Sequence, residues 1–365
     1  MQKRVYGIDL LRVISMLMIV TLHVLLHGGI LDAALPGTVN YGAAWFLETA
    51  AYCGVNCYAL ISGYVGVGAR YRYSNILYLW LQVSGINVLV TVIFSLVKPD
   101  AVGKWGMLRA AFPVLTDAYW YFTAYFAMFF FLPFLNYLVQ TLKQKQLESL
   151  LFAAFMLFSV MPTIVDEDIF RISNGYSASW LILLYLTGAY IRRYGKQEKK
   201  HGGIYLLLYL ICVLVCWSSK LGIEYIDELR GLNFNNEWLL KYNSPFILFA
   251  AICLLMCFRN LKISRRLGNF IWKISALTFG VYLWHDNPLI RENILSDKLT
   301  WVAEIPLPAM IGTVFGVTAF IFAVCCCVDF VRKTGFERLG IRRMCEGIEK
   351  GIGQCLYNLS ERNKK

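Results

Sequence analysis

The sequence predicts an all-α fold, a polytopic transmembrane helical bundle of about ten helices. Of its 365 residues, 58% are hydrophobic and only 16% are charged, and the mean hydropathy is +0.55. Soluble domains contain about 45–50% apolar and about 25% charged residues, so this composition is typical of a membrane protein. The chain begins MQKR, but the apolar run that follows is too long and too charged for a cleavable signal peptide, and we expect none.

Ten apolar stretches approach the ~20 residues that are needed to cross ~30 Å of hydrocarbon. They are 8–27, 44–66, 77–97, 118–139, 147–165, 177–191, 203–219, 243–258, 274–290 and 305–330. The longest loop between them, 220–242, is too small for a soluble domain. We therefore expect one transmembrane domain, 1–335, followed by a basic cytoplasmic tail, 336–365, that includes a surface helix.

The distribution of lysine and arginine predicts the orientation. If the N-terminus is cytoplasmic, the inner segments hold 25 of these residues and the outer segments hold nine. Cytoplasmic loops carry the excess of positive charge in membrane proteins, so both termini are expected inside a bacterial cytoplasmic membrane. The same bias accounts for the net charge of +12, which would face anionic membrane lipid, and a nucleic-acid partner is not needed to explain it.

The eleven cysteines do not suggest a disulfide framework or a metal site. Most lie inside apolar stretches, where cysteine behaves as a small hydrophobic residue. Three pairs are four residues apart, which is the spacing of packing residues on a helix: Cys53 and Cys57, Cys212 and Cys216, and Cys253 and Cys257. No metal is expected.

Arg12 and His23 lie within the first apolar stretch, where each charged group costs at least ~2.5–3.5 kcal/mol to insert. Eleven residues separate them, which is close to three helical turns and about 16 Å of rise. They therefore share one helix face, with a cation near the inner end and a base near the outer end. Two simpler interpretations remain: Arg12 snorkels to the interface, and His23 is a hydrogen-bonded packing residue.

Further polar residues are expected at the depth of His23. Glu48 lies near the outer end of the second stretch, and Tyr282, His285 and Asp286 lie near the outer end of the ninth. Two simpler interpretations remain. Glu48 is an interfacial carboxylate, which is favourable at a helix N-terminus, and the residues of the ninth stretch belong to an aromatic belt at the membrane surface.

Two arginines mark the opposite side of the membrane. Arg70 and Arg72 follow the glycine-containing segment SGYVGVG at the predicted cytoplasmic end of the second stretch. They are either ordinary positive-inside residues or ligands for a phosphate-bearing molecule. The glycines of this segment allow a neighbouring helix to approach closely.

Four segments resemble the acyltransferase-3 family, the integral-membrane acyltransferases that modify extracellular carbohydrates and related acceptors. YGIDLLRVISMLMIVTLHV is similar to the start of the family, where an LDxLR element leads into an Arg-x10-His motif. GVNCYALISGYVGVGARYR resembles its second-helix segment, DAYWYFTAYFAMFFFLPFLN its aromatic fourth-helix segment, and SALTFGVYLWHDNP its late SYGIYLLH signature. The chain departs from the family at Cys57, Tyr58 and Ala59, which replace paired aromatic residues.

The resemblance implies transfer of an acyl group, expected to be acetyl, from cytoplasmic acyl-CoA to a hydroxyl of a cell-surface or lipid-linked carbohydrate outside. Some members carry a fused extracellular domain, and this chain is expected to lack one. The catalytic residues would be His23 as general base with Glu48, or alternatively Asp286, orienting its ring. Arg12, Arg70 and Arg72 would bind the CoA phosphates. The acceptor side would be lined by Trp120, Tyr282, His285 and Asp286.

Other classes of protein have similar features. A proton-coupled transporter also has many spans with buried Arg, His and Glu, although we find no repeat between 1–165 and 177–330 of the kind that transporters often show. A polysaccharide polymerase, a flippase for lipid-linked sugars and a membrane module that assists a partner are further alternatives. Turnover of acyl-CoA would distinguish an acyltransferase from these.

Overall fold

The computed structural model of the chain describes residues 4–195 and 202–362. These residues form helices, turns and loops, and no strand occurs among them, which confirms the predicted all-α class. Six of the lysines in the predicted orientation count lie outside the described residues: Lys3, Lys196, Lys199, Lys200, Lys364 and Lys365.

Eighteen α-helices are described. They are α1 (Tyr6–Leu26), α2 (Ile30–Ala33), α3 (Val39–Tyr52), α4 (Gly54–Gly66), α5 (Tyr73–Val97), α6 (Gly106–Ala111), α7 (Trp120–Phe129), α8 (Leu132–Thr141), α9 (Gln144–Phe155), α10 (Met161–Val165), α11 (Ala178–Tyr194), α12 (Gly202–Arg230), α13 (Pro245–Arg259), α14 (Arg265–Ser275), α15 (Thr278–His285), α16 (Pro288–Ile290), α17 (Leu307–Arg338) and α18 (Ile341–Arg362). Short 3₁₀ turns lie at Pro99–Ala101, Ser173–Gly175 and Thr300–Ala303, and π-helical turns lie at Met156–Val160 and Arg291–Leu295.

Several helices are long and apolar enough to cross a membrane. Among the described residues there are five: α1, α5, α12, α17 and the continuous segment Gln144–Val165. The pair α7 and α8 makes a sixth if it is one span, bent by 60°. The protein is therefore a multi-pass membrane protein. The count of ten crossings and the cytoplasmic location of both termini stay predictions.

Besides 118–139, which is divided between α7 and α8, four of the ten predicted stretches contain shorter or broken helices. The stretch 44–66 is divided between α3 and α4 at Cys53, and 177–191 and 243–258 form α11 and α13, of 17 and 15 residues. The stretch 274–290 was predicted as one span, and this is wrong in detail, because helix α15 ends at His285. The Asn287 side chain then accepts a hydrogen bond from the Leu289 backbone N–H and begins α16 at Pro288.

Helix α1 lies at the centre of the bundle. It packs against α3, α4, α13, α14, α15 and α17. Its residues Leu11, Val20, Val24 and Leu25 are fully buried among these neighbours. The surrounding helices therefore hold Arg12 and His23 within the protein, away from a position that faces lipid.

Helices α4 and α11 approach each other at two glycines. A Cβ atom at Gly63 would lie 1.9 Å from the Tyr185 carbonyl oxygen, and one at Gly188 would lie 2.0 Å from the Leu60 carbonyl oxygen. Any larger residue would force the two backbones apart. The close approach that the glycines of this segment predict is therefore confirmed, and it fixes α4, which carries site residues, against α11.

The C-terminal helix α18 packs against α5 and α17. Its Glu349 carboxylate accepts hydrogen bonds of 2.7 Å from the Tyr73 backbone N–H and from the Ser74 hydroxyl, at the start of α5. The helix that was expected in the tail is therefore present and attached to the bundle. The predicted domain boundary after residue 335 falls inside α17, and it stays a prediction.

All eleven cysteines are free thiols. The three pairs spaced four residues apart are all buried, as expected for packing residues on helices. Their arrangement agrees with the sequence-based expectation that no disulfide framework forms.

Candidate active site

The centre of the site is a pair of histidines that come from two helices. His23 on α1 and His285 on α15 face each other, with 3.0 Å between His23 Nδ1 and His285 Nε2. The other nitrogen of His285, Nδ1, lies 2.6 Å from the backbone carbonyl oxygen of Val281, one helical turn earlier. The structure therefore brings together two of the residues that the sequence predicts as functional.

The hydrogen bonds determine which nitrogen carries each proton when both rings are neutral. A carbonyl oxygen only accepts, so His285 Nδ1 must be the protonated nitrogen and His285 Nε2 must bear the lone pair. His23 Nδ1 then donates to His285 Nε2, which leaves the lone pair of His23 on Nε2. His285 thus orients the ring of His23 and selects the tautomer in which Nε2 can accept a proton.

Three further charged or titratable groups surround the pair. The carboxylate of Asp286 lies 3.7 Å from His23 Nδ1 and accepts a hydrogen bond of 3.0 Å from Arg291. The ring of His27 lies one turn after His23, with 4.9 Å between ring centroids. The sequence analysis placed Asp286 correctly near His23, but it did not assign His27 or Arg291 to the site.

His23, His27 and Asp286 are also the described residues whose ligand atoms lie close enough together to hold a metal ion, all within 4.8 Å of one another. However, His23 Nδ1 is engaged by His285, and the Asp286 carboxylate is engaged by Arg291. These two hydrogen bonds engage one nitrogen of His23 and one carboxylate oxygen of Asp286, and they leave the lone pair of His23 Nε2 available to accept a proton.

A small aromatic cavity lies beside His23. Its volume is about 30 Å³, and two of its residues, Trp120 and Tyr282, were predicted to line the acceptor side. The wall is otherwise apolar or aromatic. It is lined by Met16, Ile19, His23, Val55, Tyr58, Trp120, Tyr121, Tyr242, Phe279 and Tyr282. Tyr58 on α4 is held in this wall by a 2.5 Å hydrogen bond with Thr278.

Aromatic side chains extend from this cavity on one side. Trp120 stacks on Tyr242, with 5.8 Å between centroids and 22° between planes, and contacts Tyr176 at 4.5 Å. Glu48 is buried and interacts electrostatically with Tyr242 and Tyr176. Within the described part of the chain it makes no hydrogen bond or ion pair with His23, whereas His285 and Asp286 both lie beside that ring, and the catalytic role of Glu48 stays a prediction.

A larger cavity lies at the other end of α1, around Arg12. Its volume is about 350 Å³, and its wall also includes Arg4, Asp9, Tyr64 and Arg192. Arg4 forms a two-point pair with the Asp9 carboxylate, at 2.7 and 2.8 Å. Arg192 lies over the ring of Tyr64 and donates to its hydroxyl at 3.1 Å. The sequence analysis counted Arg4 and Arg192 only as orientation signals.

Arg70 and Arg72 line a different cavity, of about 150 Å³, which adjoins the Arg12 cavity at Ala69. Arg72 pairs with Glu346 of α18 at 3.3 Å. The structure therefore places Arg70 and Arg72 in a cavity that adjoins the Arg12 cavity. A single phosphate site would require all three arginines to line one cavity, and they do not.

Tyrosines separate the two ends of α1. Arg12 interacts electrostatically with Tyr58, Tyr121 and Tyr125, and the first two of these also line the cavity at His23. Since Arg12 and His23 are about 16 Å apart along the helix, the tyrosines occupy the space between a basic cavity and an aromatic one.

These features define a class of protein, the multi-pass membrane proteins that hold a buried histidine site in the wall of one cavity and a basic cavity at the other end of the same helix. The model of the acyltransferase-3 family, described as an acyltransferase domain, matches residues 5–332, nearly the whole chain. The protein belongs to this family, which confirms the resemblance seen in the sequence. Comparison with curated proteins and with solved structures finds no match. The family and the apolar helices together make the protein a membrane acyltransferase.

Proposed function

We propose that this acyltransferase moves an acyl group from acyl-CoA, bound at the Arg12 end of α1, to a hydroxyl of a carbohydrate at the His23 end. The observation that carries the proposal is the pair of cavities along one helix. One is large and basic, and the other is small, aromatic and next to a histidine that is oriented as a base.

The basic cavity suits the nucleotide end of the donor. Arginine binds phosphate through charge-assisted hydrogen bonds, and three arginines, Arg4, Arg12 and Arg192, contribute to this wall. Arg4 shares its charge with Asp9, so Arg12 and Arg192 contribute more of the positive potential. Arg70 and Arg72, in the adjoining cavity, would contact a phosphate that extends past Ala69.

The aromatic cavity suits the acyl end of the donor. Its volume of about 30 Å³ is close to the ~30 Å³ that one water molecule occupies in the liquid, so it has room for a carbonyl group but not for a nucleotide. Phosphates would also be costly to bury among these residues. The thin pantetheine arm would pass between the tyrosines and deliver the thioester to His23.

His23 would act as the general base. The lone pair on Nε2 accepts the proton of the acceptor hydroxyl as the hydroxyl oxygen bonds to the thioester carbon. The carbonyl π electrons move to oxygen, and their return breaks the C–S bond. The departing CoA sulfur takes the proton from His23, which restores the neutral ring. His285 positions the base, and Asp286 stabilises the positive charge that His23 carries during the step.

The acceptor would bind against the aromatic residues beyond His23. Flat aromatic surfaces, here Trp120 stacked on Tyr242, suit the apolar faces of sugar rings. The buried Glu48 carboxylate would accept hydrogen bonds from sugar hydroxyls. We assign a cell-surface or lipid-linked carbohydrate as acceptor, and acetyl as the transferred group because the cavity is small.

The excess of lysine and arginine in predicted inner segments supports an orientation with the Arg12 cavity toward the cytoplasm. We place the protein in a bacterial cytoplasmic membrane with both termini inside. Acyl-CoA is made in the cytoplasm, whereas the acceptor would be outside, so transfer along α1 would carry the acyl group across the membrane.

Turnover of acyl-CoA by the purified protein in detergent tests the proposed function. We expect the protein to release CoA from acetyl-CoA, slowly with water and faster with a carbohydrate acceptor. Release from palmitoyl-CoA should be at least about tenfold slower, because its chain does not fit the small cavity. If no acyl-CoA is turned over, the protein does not act on these donors and the proposal fails.

A further inference from the structure

Two tyrosine hydroxyls in the wall of the aromatic cavity have no hydrogen-bond partner. Tyr121 and Tyr282 both line the cavity with His23, and both hydroxyl oxygens are buried. The Tyr121 hydroxyl lies near Ser62, and the Tyr282 hydroxyl lies near the backbone of Tyr121, but neither pair reaches hydrogen-bond geometry. An unpaired buried hydroxyl is costly, and most such groups in folded proteins are paired.

Two neighbouring tyrosines, in contrast, do have hydrogen-bond partners for their hydroxyls. Tyr58, in the same cavity wall, hydrogen-bonds to Thr278. Tyr119, which packs against Tyr282 at 5.7 Å, donates to the Leu283 carbonyl at 3.0 Å and accepts from Asn287 at 2.8 Å. The fold therefore satisfies the hydroxyls around the cavity and leaves the donors of Tyr121 and Tyr282 available.

We propose that the hydroxyls of Tyr121 and Tyr282 form an oxyanion hole for the thioester carbonyl. As the acceptor oxygen bonds to the carbonyl carbon, the π electrons move to the carbonyl oxygen, and both hydroxyls would donate hydrogen bonds to it. When the electrons return and the C–S bond breaks, the two tyrosines keep their protons. This assignment rests on the proposed function, since it names the groups that stabilise the transition state of that reaction.

The geometry places these donors where the reaction requires them. The two rings meet edge to face, with 6.3 Å between centroids, and Tyr282 lies 6.4 Å from the ring of His285. His23, Tyr121 and Tyr282 all line the same small cavity, so a thioester carbonyl bound there would have all three side chains among its neighbours. Because the wall is mostly aromatic, hydrogen bonds formed there would be stronger than in water.

Tyrosine-to-phenylalanine variants test the proposal in purified protein, with acetyl-CoA turnover as the activity. Tyr121→Phe and Tyr282→Phe should each lower kcat by about 100-fold while the KM for acetyl-CoA changes less than threefold, because the bond is made only in the transition state. Neither variant should lower the melting temperature in detergent, because the hydroxyl that is removed had no partner. The control is Tyr209→Phe, whose hydroxyl donates to the Ala50 carbonyl at 2.7 Å, and it should lose thermal stability but keep kcat.

The failure of this proposal can be distinguished from the failure of the proposed function. If wild-type protein turns over no acyl-CoA, the proposed function is wrong, and the proposed oxyanion hole is then wrong as well. If wild-type protein is active but the double variant keeps kcat within threefold, the oxyanion hole is wrong and the function stands. If the tyrosine variants raise KM and leave kcat unchanged, the oxyanion-hole proposal is also wrong, because the hydroxyls would then bind the ground state.

Discussion

Replacing His23 with alanine is expected to lower acyl transfer from acetyl-CoA by about 10²–10⁴-fold, the usual contribution of a general base. The variant removes Nε2, which the hydrogen bond to His285 leaves as the proton acceptor. The substitution makes α1 more apolar, so membrane insertion should be retained. The measurement is the initial rate of transfer by equal amounts of purified, folded protein in detergent.

Chemical rescue provides the control for His23→Ala. The substitution removes an imidazole beside an existing cavity, so added imidazole should enter and restore part of the activity. Rescue would show that the variant keeps its fold and lacks only the base. Activity within tenfold of wild type without added imidazole would mean that His23 is a packing residue.

Replacing Arg12 with glutamine is expected to raise the KM for acetyl-CoA by about 10–100-fold. Hydrogen bonds to charged groups contribute about 1.5–3 kcal/mol, and Arg12 lies in the wall of the large basic cavity. Because the phosphates do not react, they are bound equally in the ground and transition states, so kcat should change less than KM. Steady-state kinetics over a range of acetyl-CoA concentrations measure both values.

Two comparisons make the Arg12 result specific. Arg109→Gln removes an exposed arginine of α6 and should leave KM within twofold of wild type. Removing Arg70 and Arg72 together should raise KM less than Arg12→Gln does, since they line the smaller adjoining cavity and Arg72 is paired with Glu346. An unchanged KM for Arg12→Gln would indicate that Arg12 only snorkels to the membrane surface.

The sequence predicts the two ends of the site because both lie on one helix. Helical periodicity alone places Arg12 and His23 on the same face of α1. The contact of His23 with His285 joins residues 262 positions apart, and no local pattern shows such a contact. The sequence analysis placed His285 at the depth of His23, from its position near the outer end of the ninth stretch, but it did not predict that the two rings meet.

The missed residues have ordinary local sequences. Arg192 lies in the last turn of α11, at a predicted inner end where arginine is expected for topology, and only its position over Tyr64 places it in the basic cavity. Tyr121 lies in a run of aromatic residues, DAYWYFTAYF, in which the spacing does not indicate which ring faces the site. Glu48 was predicted from its depth, but depth does not specify the direction of a side chain, and Glu48 interacts electrostatically with Tyr176 and Tyr242.

Only some of the predicted stretches form helices of full spanning length, for a related physical reason. A window of apolar residues predicts a crossing only if the segment must span lipid by itself. Helices α4 and α11 pack backbone to backbone inside the bundle, with Leu60, Leu181 and Leu184 fully buried, so neither needs the length of a lipid-facing span. Sequence hydropathy does not distinguish apolar residues that face lipid from those that face other helices.

Sidedness of transfer in sealed, right-side-out membrane vesicles tests the central proposal most directly. We predict that radiolabelled acetyl-CoA loaded inside the vesicles acetylates a carbohydrate acceptor supplied outside, and that acetyl-CoA added only outside gives no transfer. The vesicles with His23→Ala should be inactive in both arrangements. Transfer from external acetyl-CoA to an external acceptor, with none from internal donor, would contradict a path from the Arg12 cavity to the His23 cavity across the membrane.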